Sequence, residues 1–147
     1  MARKKNQVNA VNDPVFGTLE WEEAFDWWCS TLEFALEVEV SIFGRDLDAV
    51  LEARRASFVR TRDREVKLKA TIARKMLKLA EDWRDEEEEP EPITLESFKQ
   101  RISLSELHLH PDGTAQLFYQ NDDVFADHII LVDLDANGKL ERATIAG

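Results

Sequence analysis

Cysteine is almost absent from this sequence, and long apolar runs are absent altogether. Cys29 is the single cysteine, which excludes an internal disulfide. Because Cys29 follows Trp27 and Trp28, we interpret its thiol as a small buried hydrophobe and not as a nucleophile. No apolar run approaches the roughly 20 residues that cross a bilayer, and polar residues follow Met1 where a signal peptide would be apolar. We therefore expect a cytoplasmic protein that does not contact a membrane.

Glycine and positive charge are also scarce. The five glycines form neither a G-x-G-x-x-G pattern nor a phosphate-binding loop, and no serine stands in a nucleophile elbow. With 19 basic against 30 acidic residues, the net charge is −11. A phosphate backbone binds clustered lysine and arginine, so nucleic acid is not an expected ligand. These absences favour a protein that has no cofactor and no catalytic residues.

The chain is long enough for one domain with its own core. At 147 residues, 44% of them hydrophobic, it needs neither disulfides nor a metal ion for stability. Residues 1–12 are polar and without periodicity, so we predict a disordered N-terminus there and a single domain over 13–147. Within that domain the acidic residues of segment 85–92 repel one another and predict an exposed acidic linker, with an interaction tail as the alternative.

Alternating apolar and polar residues predict strands in the first third of the chain. We expect an extended segment at 13–17 and a strand at 18–21. Residues 32–43 show the clearest alternation and are predicted to form one strand. Its inward-facing side chains are Leu36, Val38, Val40 and Ile42.

Two segments fit more than one structure. Residues 22–31 fit a helix or a strand, and we favour a loop that leads into a strand. Residues 47–60 follow a predicted turn at 44–46 and are compatible with a second strand or with the start of a helix.

Apolar residues at steps of three and four predict one long amphipathic helix after this point. Thr61 or Asp63 is the expected N-cap, and the acidic linker at 85–92 ends the helix. Thr94 and Ser97 have the spacing of a capping box, which predicts a short second helix to about residue 101. The stripe of the long helix contains Val66, Ala70, Ile72, Ala73, Met76, Leu77, Ala80 and Trp83.

The last third of the sequence predicts a four-stranded antiparallel meander. Its strands are expected at 105–110, 114–120, 128–135 and 139–145, with an Asn-Gly turn before the last one. The fold class that we predict is therefore α+β. It consists of an antiparallel sheet, made of the N-terminal strands and this meander, packed by one long amphipathic helix and one short helix.

Two patterns are similar to metal sites but are incomplete. His108 and His110 project from the same face of a strand, and nothing in the sequence shows whether His128 joins them. The residues from Asp133 to Gly138 copy the first half of a calcium loop, but Thr144 stands where a bidentate glutamate is required. We predict no metal site from either pattern.

The densest titratable cluster consists of Asp122, Asp123, Asp127 and His128. A histidine beside carboxylates can act as a general base, which leaves a hydrolase or a metal-dependent enzyme as an alternative function. The same region combines these groups with two phenylalanines, a composition typical of a contact surface for a basic partner. Phe125 either joins this surface or folds inward as a core residue. The predicted binding residues are Phe118, Asp122, Asp123, Phe125 and His128.

One set of residues in the last third of the chain forms a distinctive pattern, namely Asp112-Gly113, Leu117-Phe118-Tyr119, Asp122-Asp123, Phe125, His128, Ile130, Asp135 and Gly138. Through this pattern most of the chain from Asp13 onward resembles an uncharacterised bacterial family, the one known as domain of unknown function 2262. Its first segment, 13–21, is similar to the start of related uncharacterised proteins. Relatives tend to carry a Trp-Gly pair before the histidine, where this chain has Ala126 and Asp127. The family has no assigned activity, so the resemblance implies none.

Taken together, these features predict a non-enzymatic binding module. A basic protein is the expected partner, because the acidic residues are concentrated in the last third of the chain. Small acidic domains of this kind resemble the immunity proteins of bacterial toxin systems in general character.

Overall fold

The computed structural model of the chain describes residues 10–33, 37–43 and 47–147. These residues form eight strands and two helices, arranged as four strands, both helices and then four more strands. No helix within these ranges is both long and apolar enough to cross a bilayer. The elements are β1 (Ala10–Asp13), β2 (Gly17–Glu22), β3 (Trp27–Glu33), β4 (Glu37–Phe43), α1 (Leu47–Trp83), α2 (Leu95–Arg101), β5 (Ser103–Leu109), β6 (Ala115–Gln120), β7 (Ile129–Leu134) and β8 (Leu140–Ala146).

The strands form one sheet in which their spatial order follows the chain from β1 to β8. The α+β class, with one long and one short helix, is confirmed, and so is the antiparallel meander of β5 to β8. The sheet is not antiparallel throughout, because β4 and β5 run parallel. Both helices lie in the connection between these two strands, which is long enough to return the chain to the end where β4 began.

The predicted single strand over 32–43 is wrong, since residues 32–33 belong to β3 and residues 37–43 to β4, and these two strands are antiparallel. Glu33 pairs with Glu37, and Leu32 pairs with Val38, across a connection at 34–36. That connection lies outside the described residues, as do the expected position of Leu36 and the predicted turn at 44–46. Its sequence, Phe-Ala-Leu, contains no typical turn residue, so nothing interrupts the apolar alternation.

The N-terminal strands differ from the prediction at two places. Residues 10–12 belong to β1, so the predicted disorder is wrong for them, while residues 1–9 lie outside the described part of the chain. Residues 14–16 form a turn between β1 and β2 instead of an extended entry. The predicted strand at 18–21 lies within β2, and residues 27–31 lie in β3 after a turn, as we favoured.

Helix α1 is much longer than predicted. It begins at Leu47, so the open segment 47–60 is helical and neither Thr61 nor Asp63 caps a helix. The Thr61 hydroxyl instead donates a hydrogen bond to the Ser57 carbonyl within the helix, at 2.9 Å. The helix ends at Trp83, before the acidic linker, as predicted. In α2 the capping box is present, with the Ser97 N–H donating to Thr94 Oγ1 at 3.1 Å.

One face of the sheet and one side of α1 belong to a common core. The predicted inward positions of β4 that the structure describes are fully buried, together with alternate residues of β5 to β7. Four residues of the predicted helix stripe are buried with them, but Val66 and Trp83 are exposed. The main members of this core are Val38, Val40, Ile42, Ile72, Ala73, Met76, Ala80, Leu107, Leu109, Leu117, Tyr119, Ile130 and Val132.

The Asn-Gly turn between β7 and β8 packs against α1 through an arginine. Arg60 Nη2 donates a hydrogen bond to the Ala136 carbonyl at 3.1 Å. Gly138 has a φ of 83°, and a Cβ atom there would lie 2.7 Å from Arg60 Nε. This position therefore requires glycine both for its backbone conformation and for the approach of the arginine.

We expect Gly138→Ala to lower the free energy of unfolding by about 1–2 kcal/mol, the cost of a positive φ in a residue with a Cβ atom. Urea denaturation of the purified chain measures this loss. Asn137→Ala is the matched control, because Asn137 lies in the same exposed turn without a positive φ. Equal midpoints for the two variants would contradict the prediction.

Candidate functional site

An acidic cleft of about 570 Å³ lies where the linker after α1 meets the loop between β6 and β7. Trp83, the last residue of α1, stands at its edge with 40% of its surface exposed. Five carboxylates line the cleft, and one basic side chain accompanies them. The lining residues are Trp83, Asp85, Glu88, Glu89, Arg101, Asp122, Asp123, Val124 and Ala126.

Arg101, at the end of α2, binds both walls of the acidic cleft. Its Nη1 lies 2.7 Å from Glu89 Oε1 in the linker. Its Nη2 donates to the Asp122 carbonyl at 2.7 Å, and its Nε lies 3.3 Å from Asp122 Oδ2. One guanidinium therefore holds together two acidic segments that would otherwise repel each other.

The linker itself is fixed to the end of α1 by hydrogen bonds. Arg84 donates to the Glu89 carbonyl at 2.8 Å and to Glu81 Oε2 at 2.9 Å. The same Glu81 oxygen accepts the Ile93 N–H at 2.8 Å. The bond from Ile93, followed by that from Arg84, holds the pKa of Glu81 below its ordinary value. The wall of the cleft that the linker forms is thus ordered in the absence of a partner.

The loop between β6 and β7 forms the opposite wall, and a buried asparagine fixes its conformation. Asn121 Oδ1 accepts the Phe125 N–H at 3.1 Å, and Asn121 Nδ2 donates to the His128 carbonyl at 2.6 Å. Asp122 and Asp123 lie between these anchors in the left-handed region, with φ of 52° and 61°. Aspartate is enriched in that region, so these two residues adopt it with little strain and present exposed carboxylates.

Phe125 does not belong to a contact surface, and our prediction is wrong for this residue. Its side chain is 0% exposed and lies in the core. The ring contacts those of Trp83 and Phe98, with centroids 5.7 Å and 6.1 Å apart. The loop folds back on itself through Asn121, and this buries its phenylalanine while its aspartates face solvent.

The other predicted binding residues do not form one surface. Asp122 and Asp123 line the acidic cleft. Phe118 lies on the face of the sheet opposite the core, where its ring is 4.5 Å from that of His108. His128 is half-buried, and its ring contacts that of Trp83 at 5.6 Å.

The structure does not bring together the residues proposed for the alternative function, a hydrolase or metal-dependent enzyme that uses His128. In the described structure, no hydrogen bond or ion pair connects the His128 ring to Asp122, Asp123 or Asp127. Asp122 binds Arg101 instead. Among the residues with a described position, no three His, Cys, Asp or Glu side chains form a group that could hold a metal ion.

His108 and His110 share a face, as expected, but they do not meet His128. His110 stacks on Phe43 with centroids 4.6 Å apart and planes 10° from parallel. His108 is 9% exposed and lies against Trp27 at 4.9 Å, with its Nε2 3.1 Å from Glu106 Oε2. Burial lowers the pKa of His108 more than Glu106 raises it, which favours the neutral imidazole.

A chain of polar side chains continues from these histidines along the same face. His110 Nε2 lies 3.0 Å from Gln116 Oε1, and Gln116 Nε2 donates to Asp133 Oδ1 at 3.2 Å. Arg142 Nη2 donates to Asp133 Oδ2 at 2.9 Å. The carboxylate of Asp135, the next acidic residue of the calcium-like sequence, accepts the N–H groups of Asn137 and Lys139. The carboxylates of Asp133 and Asp135 therefore stabilise the hairpin of β7 and β8 and are not arranged around a calcium ion.

Cys29 lies on this face too, half-buried and not fully buried as we interpreted it. Its Sγ donates weakly to Glu39 Oε1 at 3.8 Å. Burial, followed by hydrogen bonding to Glu22, raises the pKa of the thiol to about 12. A thiol that stays protonated at neutral pH is a poor nucleophile.

Several residues of the acidic cleft were not in the predicted set. Trp83 was assigned to the buried helix stripe, and the linker was expected to be exposed and solvated. The sequence does contain one signal for the cleft, a tryptophan at the end of a helix directly before an acidic run. The role of Arg101 has no such signal, because both its partners are distant in sequence.

Comparison with known proteins gives a family and no characterised relative. No curated protein matches the chain significantly. No solved structure does so either. The model of a family of uncharacterised proteins conserved in bacteria matches residues 13–145, which is nearly the whole chain. The protein therefore belongs to this bacterial family, domain of unknown function 2262.

Proposed function

We propose that this protein is a non-enzymatic binding module whose acidic cleft binds a basic partner protein. One observation carries the proposal: carboxylates from two separate segments line one cleft together with an exposed tryptophan. The five acidic side chains come from the linker after α1 and from the loop between β6 and β7. Neutralisation of a basic bacterial toxin, as by an immunity protein, is the specific form of this function that we propose.

The cleft combines the two components that a contact surface for a basic protein requires. Exposed carboxylates such as Asp122 and Asp123 steer the encounter with a positively charged partner and accept charge-assisted hydrogen bonds. Trp83 offers apolar area, and tryptophan is enriched among the residues that dominate binding energy. Because Arg84, Arg101 and Asn121 already fix the walls, little conformational entropy is lost on binding.

We expect Asp122→Lys with Asp123→Lys to slow association with the partner at least about tenfold at low salt and to weaken its salt dependence. The basic proteins encoded beside the gene are the first to test, by surface plasmon resonance at several salt concentrations. The variant also loses the ion pair between Asp122 and Arg101 and places lysine at two positions of positive φ, so thermal unfolding is measured to show that it remains folded at the assay temperature.

The matched control is Glu20→Lys with Glu52→Lys, which changes the net charge equally. Glu20 is exposed on β2, and Glu52 is exposed near the other end of α1 from Trp83. If the control variant slows association as much as the cleft variant, general charge and not the acidic cleft drives binding. If neither variant changes the rate, the cleft is not the interface.

A further inference from the structure

A basic groove lies between the middle of α1 and the hairpin of β7 and β8, away from the acidic cleft. It encloses about 300 Å³. Four of its lining residues are basic, none is acidic, and three leucines form an apolar part. The lining residues are Arg60, Thr61, Arg64, Lys67, Leu68, Thr71, Leu134, Gly138, Lys139 and Leu140.

The charge of this groove is opposite to that of the protein as a whole, which is −11. The carboxylate of Asp135 interacts with two of its cations: the pKa of Asp135 is lowered chiefly by hydrogen bonds from the turn and also by the charges of Lys139 and Arg60. Arg64 and Lys67 are exposed, and no carboxylate of the described residues forms an ion pair with either. Two uncompensated cations therefore stand on the rim.

A third cation is fixed in place at the hairpin end of the groove. Arg60 donates from Nη2 to the Ala136 carbonyl, and the close approach of Gly138 holds its guanidinium against the turn. Its Nε is buried and has no hydrogen-bond partner within the described structure. Because this N–H is buried, Arg60 contributes positive charge to the groove and not a donor that a ligand could reach.

We propose that the basic groove binds a small organic anion that has an apolar body. A carboxylate, sulfonate or phosphate group would pair with Arg64 and Lys67, which supply charge-assisted hydrogen bonds. The apolar body would cover Leu68, Leu134 and Leu140. The volume is at the lower end of the range for small-molecule sites, and a mostly apolar lining with a few converging polar groups is typical of them.

The acidic linker of a second copy fits the groove less well. Segment 85–92 consists of aspartate, glutamate and proline, so it has no large apolar side chain for the leucines. Its Glu89 is also engaged by Arg84 and Arg101 within its own chain. The amphiphilic lining therefore favours a small molecule over that segment.

Three probes that share one ring system and differ in charge test the proposal on the full chain. They are naphthalene-2-sulfonate, neutral 2-naphthol and the cation 2-naphthylmethylammonium, each titrated by calorimetry. We expect the sulfonate to bind at least about tenfold more tightly than naphthol, and the cation to bind least. Arg64→Gln with Lys67→Gln should remove most of that tenfold preference and leave naphthol binding unchanged.

The control is Lys75→Gln with Lys78→Gln, an exposed pair at the same spacing on the same helix and outside the groove. The proposal is overturned if the sulfonate binds no better than naphthol, or if both double variants weaken it equally. It is also overturned if sedimentation shows a dimer that the Arg64/Lys67 variant dissociates, because a second copy would then occupy the groove.

Discussion

Replacing Phe125 with alanine should lower the free energy of unfolding by about 3–5 kcal/mol, the usual cost of removing a buried phenylalanine ring. The side chain is 0% exposed and touches the rings of Trp83 at the end of α1 and of Phe98 in α2. Its removal leaves a cavity where both helices meet the loop that carries Asp122 and Asp123. Urea denaturation followed by tryptophan fluorescence measures the loss.

Phe25→Ala is the control for this substitution, because it deletes the same atoms from a site that is 57% exposed. Phe25 stacks only on the ring of Trp27 among the described aromatic contacts, so its loss should cost less than about 1 kcal/mol. Similar losses for the two variants would show that Phe125 is not a core residue in solution. The acidic cleft would then have to be reconsidered, since Phe125 supports its loop.

The second large effect is expected from Asp13→Asn, which should cost about 2–3 kcal/mol at neutral pH. The Asp13 carboxylate is buried, and it accepts the N–H groups of Val15 at 2.9 Å and Phe16 at 3.0 Å. Arg55 Nε also donates to it at 2.9 Å. Hydrogen bonds to a charged group contribute roughly 1.5–3 kcal/mol, and the partly exposed Arg55 keeps some hydration once its partner is lost.

The pH dependence of this effect follows from the pKa of Asp13. Burial raises that pKa, but the hydrogen bonds from Arg55, Phe16 and Val15 together lower it below its ordinary value. The carboxylate therefore stabilises the fold fully above the unfolded pKa of about 3.9. This contribution is lost as the pH falls through the lower folded pKa. The gap in urea midpoint between the native chain and Asp13→Asn should thus narrow from pH 6 to pH 2.5, and a constant gap would refute this origin.

The parts of the fold that the sequence predicted well depend on local signals. The Asn-Gly turn at 137–138, the capping box of Thr94 and Ser97, and the acidic stop after Trp83 each act within a few residues. The errors arose where no local signal exists. Residues 34–36 lack a turn residue, and the buried face of the first turns of α1 carries Arg54, Ser57 and Thr61, which interrupt the apolar stripe.

The candidate site was predictable only in part for the same reason. Asp122 and Asp123 were expected at the surface because two adjacent carboxylates are costly to bury. Whether Phe125 faces in or out depends on the buried Asn121, whose two hydrogen bonds fold the loop back. The convergence of that loop with the linker requires Arg101, and no spacing in the sequence connects these three segments.

The parallel pairing of β4 with β5 also determines the order in which the sheet can assemble. Every other pair of neighbouring strands is joined by a short connection and closes at a small cost in chain entropy. Val40 and Leu107 are neighbours in the sheet although both helices separate them in sequence. Pairings between distant residues form slowly, because the chain entropy of closing a long loop is lost before the stabilising contacts form. The two four-stranded halves are therefore expected to form first, and the junction between β4 and β5 becomes the late step that limits the folding rate.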